Sequence, residues 1–142
     1  MRVFISGIMQ GSTKSNGIQS QDYRSRIVAI LHNWDPEVEA IDPLLIWPDS
    51  VSYSTDKAKE TLLEAVRLAG ETDVLVAYLP TASMGTALEM WSAYQAGVPV
   101  YTITGMRYNW AILTMSTNIF PTIAEFEAFV RSGGLTHHAD AD

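Results

Sequence analysis

Residues 73–79 read DVLVAYL, and residues 80–90 continue as PTASMGTALEM. The first stretch is almost wholly apolar, which is typical of a strand buried on both faces of a parallel sheet. The second stretch begins with a turn and continues as a helix for which Ser83 is the predicted N-cap. This order of strand, turn and helix indicates an α/β protein.

The sequence on either side repeats this alternation of strands and helices. Four more apolar runs have the length and composition of strands. They lie at 2–6, 38–47, 98–104 and 119–121. The remaining amphipathic segments predict helices. These lie at about 19–34, 56–70, 84–96, 108–117 and 122–132.

This alternation predicts a single-domain three-layer sandwich with a mostly parallel sheet, of the Rossmann or flavodoxin-like type. The catalytic domain is expected to span residues 1–134, and a mobile tail is expected at 135–142. Ligands of such folds bind at the carboxyl ends of the strands. The loops that follow the strands are therefore the places to look for a site.

The composition narrows the classes of function. The chain has 142 residues, of which 16 are acidic and 9 basic, so its formal charge is −7. This charge argues against binding a nucleic-acid polymer or an anionic membrane. Cysteine is absent, which excludes disulfides, thiolate catalysis and cysteine zinc sites. With no signal peptide and no apolar run long enough to span a membrane, a cytoplasmic enzyme or small-molecule binder is expected.

The loop at 7–17, GIMQGSTKSNG, lacks both common phosphate-binding motifs. Gly7 and Gly11 are separated by three residues and do not form a dinucleotide fingerprint, and Thr13 stands where a P-loop requires glycine before Lys-Ser. Two interpretations remain. The backbone N–H groups of this loop approach a ligand closely, or the loop is an ordinary flexible connection.

Glu89 is the candidate functional residue of the strand–turn–helix unit. Its side chain leans toward the helix N-terminus, where free N–H groups can hold an anion or a sugar hydroxyl. Its neighbours Leu88, Met90 and Trp91 are apolar, and a carboxylate among such residues is unfavourable unless it is used or paired. Glu89 is thus either a functional carboxylate or a residue on a solvated face.

The segment SMGTALE at 83–89, followed by Ala93 and by GVPV at 97–100, carries a family resemblance. Together with Asp73 at the start of the strand, it resembles the nucleoside 2-deoxyribosyltransferase superfamily, which includes the (deoxy)nucleoside 5′-monophosphate N-glycosidases. The resemblance extends over roughly 2–104, with GIMQG at 7–11 similar to the first ligand loop of that family. It implies an α/β sandwich with a parallel sheet.

The resemblance also implies cleavage of the N-glycosidic bond of a nucleoside or nucleotide. Glu89 matches the nucleophile, which attacks the anomeric carbon as in retaining glycosidases and passes the sugar to a second base or to water. Ser83 matches a position that is aspartate in many transferases and serine in the monophosphate hydrolases, where it contacts the 5′-phosphate. Tyr23, Trp47 or Tyr53 is expected to stack on the base. The implied substrate-binding set is Gly7, Ile8, Gln10, Gly11, Tyr23, Ser83, Gly85, Thr86 and Asn118.

Three departures from the family pattern stand out. The second carboxylate of the family falls here on Ala65, and the adjacent Glu64 is a candidate substitute acid or a surface residue near Lys57 and Lys59. The serine and arginine that hold phosphate in the hydrolases are replaced here by Ile8 and Gln10, which weakens a 5′-phosphate site. The remaining candidate cations are Arg24, Arg26 and Arg107, although arginines on helices are usually solvated.

The resemblance further implies a homo-oligomer in which a neighbouring subunit completes the active site. Asn109, Ser116 and Asn118 are the candidate residues for that contribution. The methionine- and tryptophan-rich stretch 90–118 suits an interface or belongs to the core.

The expected function is a nucleoside 2-deoxyribosyltransferase-like enzyme that acts on a small nucleoside or nucleotide through Glu89. One alternative is a 5′-monophosphate N-glycosidase, and another is a catalytically silent nucleotide-binding or sensing domain, which the missing helix carboxylate favours. His32, His137 and His138 do not have the spacing of metal ligands, so neither a metal nor a cofactor is expected.

Overall fold

The computed structural model describes residues 1–10 and 20–135. Its sheet has five strands, which pair in parallel in the order β2-β1-β3-β4-β5. The strands are β1 Arg2–Gly7, β2 Glu39–Ile41, β3 Val74–Leu79, β4 Val100–Thr104 and β5 Asn118–Phe120. The predicted α/β fold is confirmed, and the strand order is the flavodoxin-like one.

Six α-helices connect the strands in the described part of the chain. They are α1 Asp22–Trp34, α2 Pro43–Ile46, α3 Thr55–Ala69, α4 Met84–Gln95, α5 Trp110–Met115 and α6 Ile123–Arg131. A short 3₁₀ turn, Ser50–Ser52, precedes α3. None of the helices within residues 1–10 and 20–135 combines the length and the apolar character needed to cross a membrane.

The sheet is covered on both faces, which explains the nearly continuous apolar sequence of β3. Because side chains alternate along a strand, Val74 and Val76 face one cluster, while Leu75 and Ala77 face the other. The first cluster includes residues of α1 and α6, and the second includes residues of α3, α4 and α5. This is the predicted three-layer arrangement.

The structure corrects the predicted strand at 38–47. β2 ends at Ile41, because the next residue, Asp42, accepts a hydrogen bond from the Leu44 N–H and caps α2. Pro43 occupies the first turn of that helix, where its fixed φ is favourable and its missing N–H costs nothing. An Asp-Pro pair after an apolar run is thus a helix start here and not an interruption in a strand.

Two other boundaries differ from the predictions. The helix expected at 108–117 is shorter, since the Asn109 side chain accepts from the N–H groups of Ala111 and Ile112 and Ser116 is extended. Leu135, the last described residue, is fully buried in the cluster beneath α1 and α6. The tail residues 136–142 lie outside the described residues.

The register of the sheet brings the loops of the site together. Gly7 at the end of β1 pairs with Tyr78, and Leu79 at the end of β3 pairs with Thr104. The carboxyl ends of β1, β3 and β4 therefore meet at one edge of the sheet. This is the edge at which ligands of α/β folds bind.

Candidate active site

A cleft of about 280 Å³ opens at the carboxyl ends of β1 and β3. This volume is near the lower end of the range for small-molecule sites, about 300–1,000 Å³. The end of β1, the start of α4, one face of α3 and the segment after α2 form its walls. Its lining consists of Gly7, Met9, Gln10, Pro43, Trp47, Ser50, Val51, Tyr53, Ala58, Thr61, Leu62, Ala65, Ser83, Met84, Gly85, Thr86 and Glu89.

Glu89 is a buried carboxyl group at the bottom of this cleft. Glu89 is only 7% exposed, and its Oε1 accepts a hydrogen bond of 2.8 Å from the Ser6 hydroxyl. Burial raises the pKa of Glu89 to about 7, although the Ser6 hydrogen bond and the positive charge of Arg24 oppose this rise. A carboxyl group that titrates near neutral pH inside a cleft is typical of catalytic acids, bases and nucleophiles.

The first turn of α4 forms the wall beside Glu89. The Ser83 hydroxyl accepts hydrogen bonds from the Thr86 N–H at 3.4 Å and from the Thr86 hydroxyl at 3.0 Å. Ser83 is thus the predicted N-cap, and its side chain holds the turn in place. A β-carbon on Gly85 would meet only the Leu62 side chain, at 3.9 Å. The turn therefore presents backbone to the cleft with little side-chain cover.

Two of the three aromatic residues proposed to stack on a base line the cleft. Trp47 and Tyr53 belong to its wall, and the Lys57 ammonium lies 3.9 Å from the centre of the Tyr53 ring. Tyr23 does not line it. The Tyr23 ring is 5% exposed and stacks on Tyr78 in the core with ring centres 4.5 Å apart, so the hypothesis that Tyr23 contacts a base is corrected.

Gly7 leaves room for this buried tyrosine. A β-carbon at Gly7 would overlap the Tyr23 hydroxyl, which donates to the Ile8 carbonyl at 3.1 Å. The Ile8 side chain is buried in the cluster beneath α1 and is not part of the cleft wall. The expectation that Ile8 binds substrate is therefore corrected, because only its neighbours Gly7, Met9 and Gln10 reach the cleft.

The structure separates Glu64 from the site. Ala65 faces the cleft, and Glu64 on the adjacent face of α3 forms an ion pair with Arg67 and is about 43% exposed. The hydrogen bond from Arg67 lowers the pKa of Glu64. Successive helix residues point about 100° apart, so Glu64 and Ala65 do not share a direction. Glu64 is a surface residue, as the alternative hypothesis held, although its partner is Arg67 and neither Lys57 nor Lys59.

Arg24 is buried, which the sequence did not indicate. Its side chain is 3% exposed and donates to the Asp42 carboxylate at 3.1 Å, the Ile5 carbonyl at 3.0 Å and the Gly7 carbonyl at 3.3 Å. It therefore fixes the end of β1 and is not a solvated cation available to a phosphate. Neither Arg26 nor Arg107 lines the cleft, and Arg107 lies over the exposed Tyr108 ring.

The other predicted binding residues lie elsewhere. Gly11 is outside the described residues. Asn118 starts β5 opposite Tyr101, near the amino end of β4, and does not line the cleft of the same chain. Ser116 is hydrogen-bonded to Thr102. The predicted residues that the structure does bring together are Gly7, Gln10, Ser83, Gly85, Thr86 and Glu89.

Two residues that support the site, Ser6 and Asp42, were not predicted from the sequence. The third, Arg24, was predicted as a candidate cation for phosphate and not as a buried structural residue. Ser6 had a weak signal, as a polar residue in an otherwise apolar run. The sequence signal for Asp42 was the Asp-Pro pair that it forms with Pro43. In the part of the chain that the structure describes, no three acidic, histidine or cysteine side chains are grouped as metal ligands would be.

Comparison with known proteins adds evidence on the fold. Neither the protein-family models nor the curated proteins include a match. Among solved structures, a 2-deoxyribosyltransferase from the psychrotolerant bacterium Bacillus psychrosaccharolyticus superposes with a TM-score of 0.68 and 14% identity, covering 89% of this chain and 90% of that one. A conserved protein from Enterococcus faecalis V583 has a TM-score of 0.62 and 16% identity, covering 94% and 98%. The fold implied by the sequence resemblance is thus confirmed over nearly the whole chain.

Proposed function

We propose that this protein is an enzyme of the nucleoside 2-deoxyribosyltransferase type, which cleaves the N-glycosidic bond of a (deoxy)nucleoside. The observation that carries this proposal is Glu89, a buried carboxyl group with a pKa of about 7 at the bottom of a cleft. The motif that surrounds it and the shared fold of a 2-deoxyribosyltransferase support the same conclusion.

Glu89 acts in this mechanism as the nucleophile. Its free carboxylate oxygen attacks the anomeric carbon, and the electron pair of the C–N bond leaves with the base. The resulting glycosyl ester is then attacked by the nitrogen of a second base or by water, which restores the carboxylate. Ser6 holds Oε1, so it is a positioning residue that leaves Oε2 to react.

The walls of the cleft suggest where the rest of the substrate binds. The backbone of the α4 turn around Gly85 and Thr86 suits the hydroxyl groups of the sugar. Trp47 and Tyr53 offer aromatic surface to the base. Gly7 and Gln10 complete the wall at the end of β1.

The cleft favours a nucleoside over a 5′-monophosphate. Among the lining residues that the structure describes there is no lysine, arginine or histidine, and phosphate recognition normally uses such cations. A 5′-monophosphate N-glycosidase is therefore the second candidate. A catalytically silent nucleotide-binding domain is the third, and the presence of Ala65 in place of an acid favours it.

We also propose that a second copy of the chain covers the mouth of the cleft and contributes to the site. Large apolar side chains are exposed on α4, whose first turn lines the cleft, and on α5. They are Met84 at 84%, Leu88 at 47%, Trp91 at 45% and Trp110 at 86% exposed. Met84 also lines the cleft.

Sedimentation of the wild-type protein is expected to give at least a dimer. Trp110→Asp is expected to shift the equilibrium toward the monomer. A monomeric wild-type protein with full activity would contradict this proposal.

The function is tested by incubating the protein with a panel of nucleosides and following release and exchange of the base. The panel contains ribonucleosides, 2′-deoxynucleosides, their 5′-monophosphates and N7-methylated purine nucleosides, each with and without a free acceptor base. Exchange without net hydrolysis indicates a transferase, and hydrolysis of monophosphates alone indicates the second candidate. An absence of turnover with every member would leave the binding domain as the answer.

Replacing Ser6 by alanine is expected to shift the pH profile of turnover to higher pH. The Ser6 hydrogen bond lowers the pKa of Glu89, so its loss raises that pKa and less of the reactive carboxylate is present at low pH. We expect kcat/KM to fall about tenfold at pH 6 but less than about twofold at pH 9. An equal loss at both values would indicate a general packing defect instead, and Ser6→Cys, a weaker donor, is expected to be intermediate.

A further inference from the structure

We infer that the preferred substrates are N-glycosides whose base carries a positive charge, such as pyridinium or N7-alkylated purine nucleosides. This inference rests on the proposed function and narrows its substrate class. It follows from two independent features of the cleft, the absence of a second acid and the charge of the wall.

The first feature is that Glu89 has no acidic partner in the cleft. Retaining glycosidases use two carboxyl groups about 5–5.5 Å apart, one as nucleophile and one to protonate the leaving group. Of the described residues that line this cleft, Glu89 alone carries a carboxyl group. Ala65 presents a methyl group on α3.

The chemistry of the leaving group then decides the substrate. When Glu89 attacks, the electron pair of the C–N bond moves onto the base. A neutral purine or pyrimidine base therefore leaves as an anion unless an acid protonates it. A base that is already cationic leaves as a neutral molecule and needs no proton. Because the described residues of this chain supply the nucleophile and no acid, they are sufficient for the second class of substrate and not for the first.

The second feature is the electrostatic character of the wall. Glu89 gives the described lining a negative charge when it is ionised. The positive charge that acts on it, Arg24, lies outside that lining and is paired with Asp42. Trp47 and Tyr53 present aromatic surface of the kind that attracts cations. The Lys57 ammonium already lies 3.9 Å from the Tyr53 ring centre, so we assign the contact with a cationic base to Trp47. A cationic base would also favour the ionised form of Glu89.

The test compares pairs of substrates in which one N-methyl group makes the base cationic. Guanosine with 7-methylguanosine and 2′-deoxyguanosine with its 7-methyl derivative form two such pairs, and nicotinamide riboside is a second cationic class. We expect kcat/KM to be at least about 100-fold higher for the cationic member of each pair, the amount that one general acid contributes. Comparable values for the two members, or turnover of the neutral one alone, would overturn the inference and leave the proposed function intact. No turnover of either class would overturn the function itself.

A variant supplies the missing acid. Ala65→Asp is expected to raise kcat/KM on the neutral nucleosides by about 100-fold and to leave the cationic ones within about threefold. Leu63→Asp, at an exposed position of the same helix (69%), adds the same charge outside the cleft and is expected to change neither. If Ala65→Asp folds and leaves the ratio of the two classes unchanged, the inference fails. If it does not fold, the wild-type comparison decides alone.

Discussion

Replacing Glu89 by glutamine is expected to lower kcat by about 10³-fold or more on every substrate that the wild-type protein turns over. The amide oxygen of glutamine is a far weaker nucleophile than a carboxylate oxygen and cannot form the glycosyl ester. Loss of a nucleophile removes an interaction made during the reaction, so kcat falls while substrate binding persists. Base release measured under single-turnover conditions, with substrate binding measured separately, checks both halves of this expectation.

Glutamine is the matched replacement because it keeps the contacts of Glu89. Its amide oxygen can still accept the Ser6 hydrogen bond, and its volume is nearly the same. Full activity in Glu89→Gln would exclude Glu89 as the nucleophile. Equal losses in kcat and in substrate binding would indicate instead that the cleft has collapsed.

The pH dependence of stability provides the control for folding. The pKa of Glu89 is about 7 in the folded protein, against 4.5 for a free glutamate, so the folded state binds the proton more tightly. Glu89 therefore contributes stability that is present below about pH 4.5 and is lost as the pH rises through 7. The free energy of unfolding of Glu89→Gln is expected to equal that of the wild-type protein at pH 4 and to be higher by up to about 3 kcal/mol at pH 8. Urea unfolding at the two pH values measures this difference.

The fold, and the position of Glu89 within it, could be predicted from the sequence because both depend on local patterns. The apolar β3 and the N-cap Ser83 place Glu89 at the carboxyl edge of the sheet from spacing alone. These features are encoded within a few residues of each other.

The missed features depend on contacts between distant segments. In the sequence, Arg24 cannot be told from an arginine on a helix surface. Only the packing of α1 over β1 brings it to Asp42, after β2, and to the Ile5 carbonyl. Tyr23 beside it is a plausible base-stacking residue in the sequence, yet the glycine at Gly7 allows it into the core. Glu64 and Ala65 are neighbours on α3, and a rotation of the helix by one residue decides which of the two side chains faces the cleft. The sequence pattern of α3 does not resolve so small a rotation.

Breaking the ion pair between Arg24 and Asp42 is expected to have the largest effect on stability. Both side chains are buried, at 3% and 6% exposure, so removing one charge leaves the other without compensation in a medium that solvates it poorly. Asp42→Asn preserves the shape of the side chain and can still cap α2, yet it removes the negative charge. We expect it to lower the free energy of unfolding by about 3–5 kcal/mol, measured by urea denaturation.

A double variant separates the charge from the packing. Arg24→Met removes the cation but keeps an apolar stem of similar length, so Arg24→Met combined with Asp42→Asn no longer contains a buried unpaired charge. The double variant is expected to be more stable than Asp42→Asn alone, with a coupling energy of about 1–3 kcal/mol in the mutant cycle. Simple addition of the two single effects would mean that the pair is not coupled.

Arg24→Met is also expected to lower turnover. Arg24 donates to the carbonyl groups of Ile5 and Gly7, which flank Ser6, so its loss is expected to displace the Ser6 hydroxyl that holds Glu89.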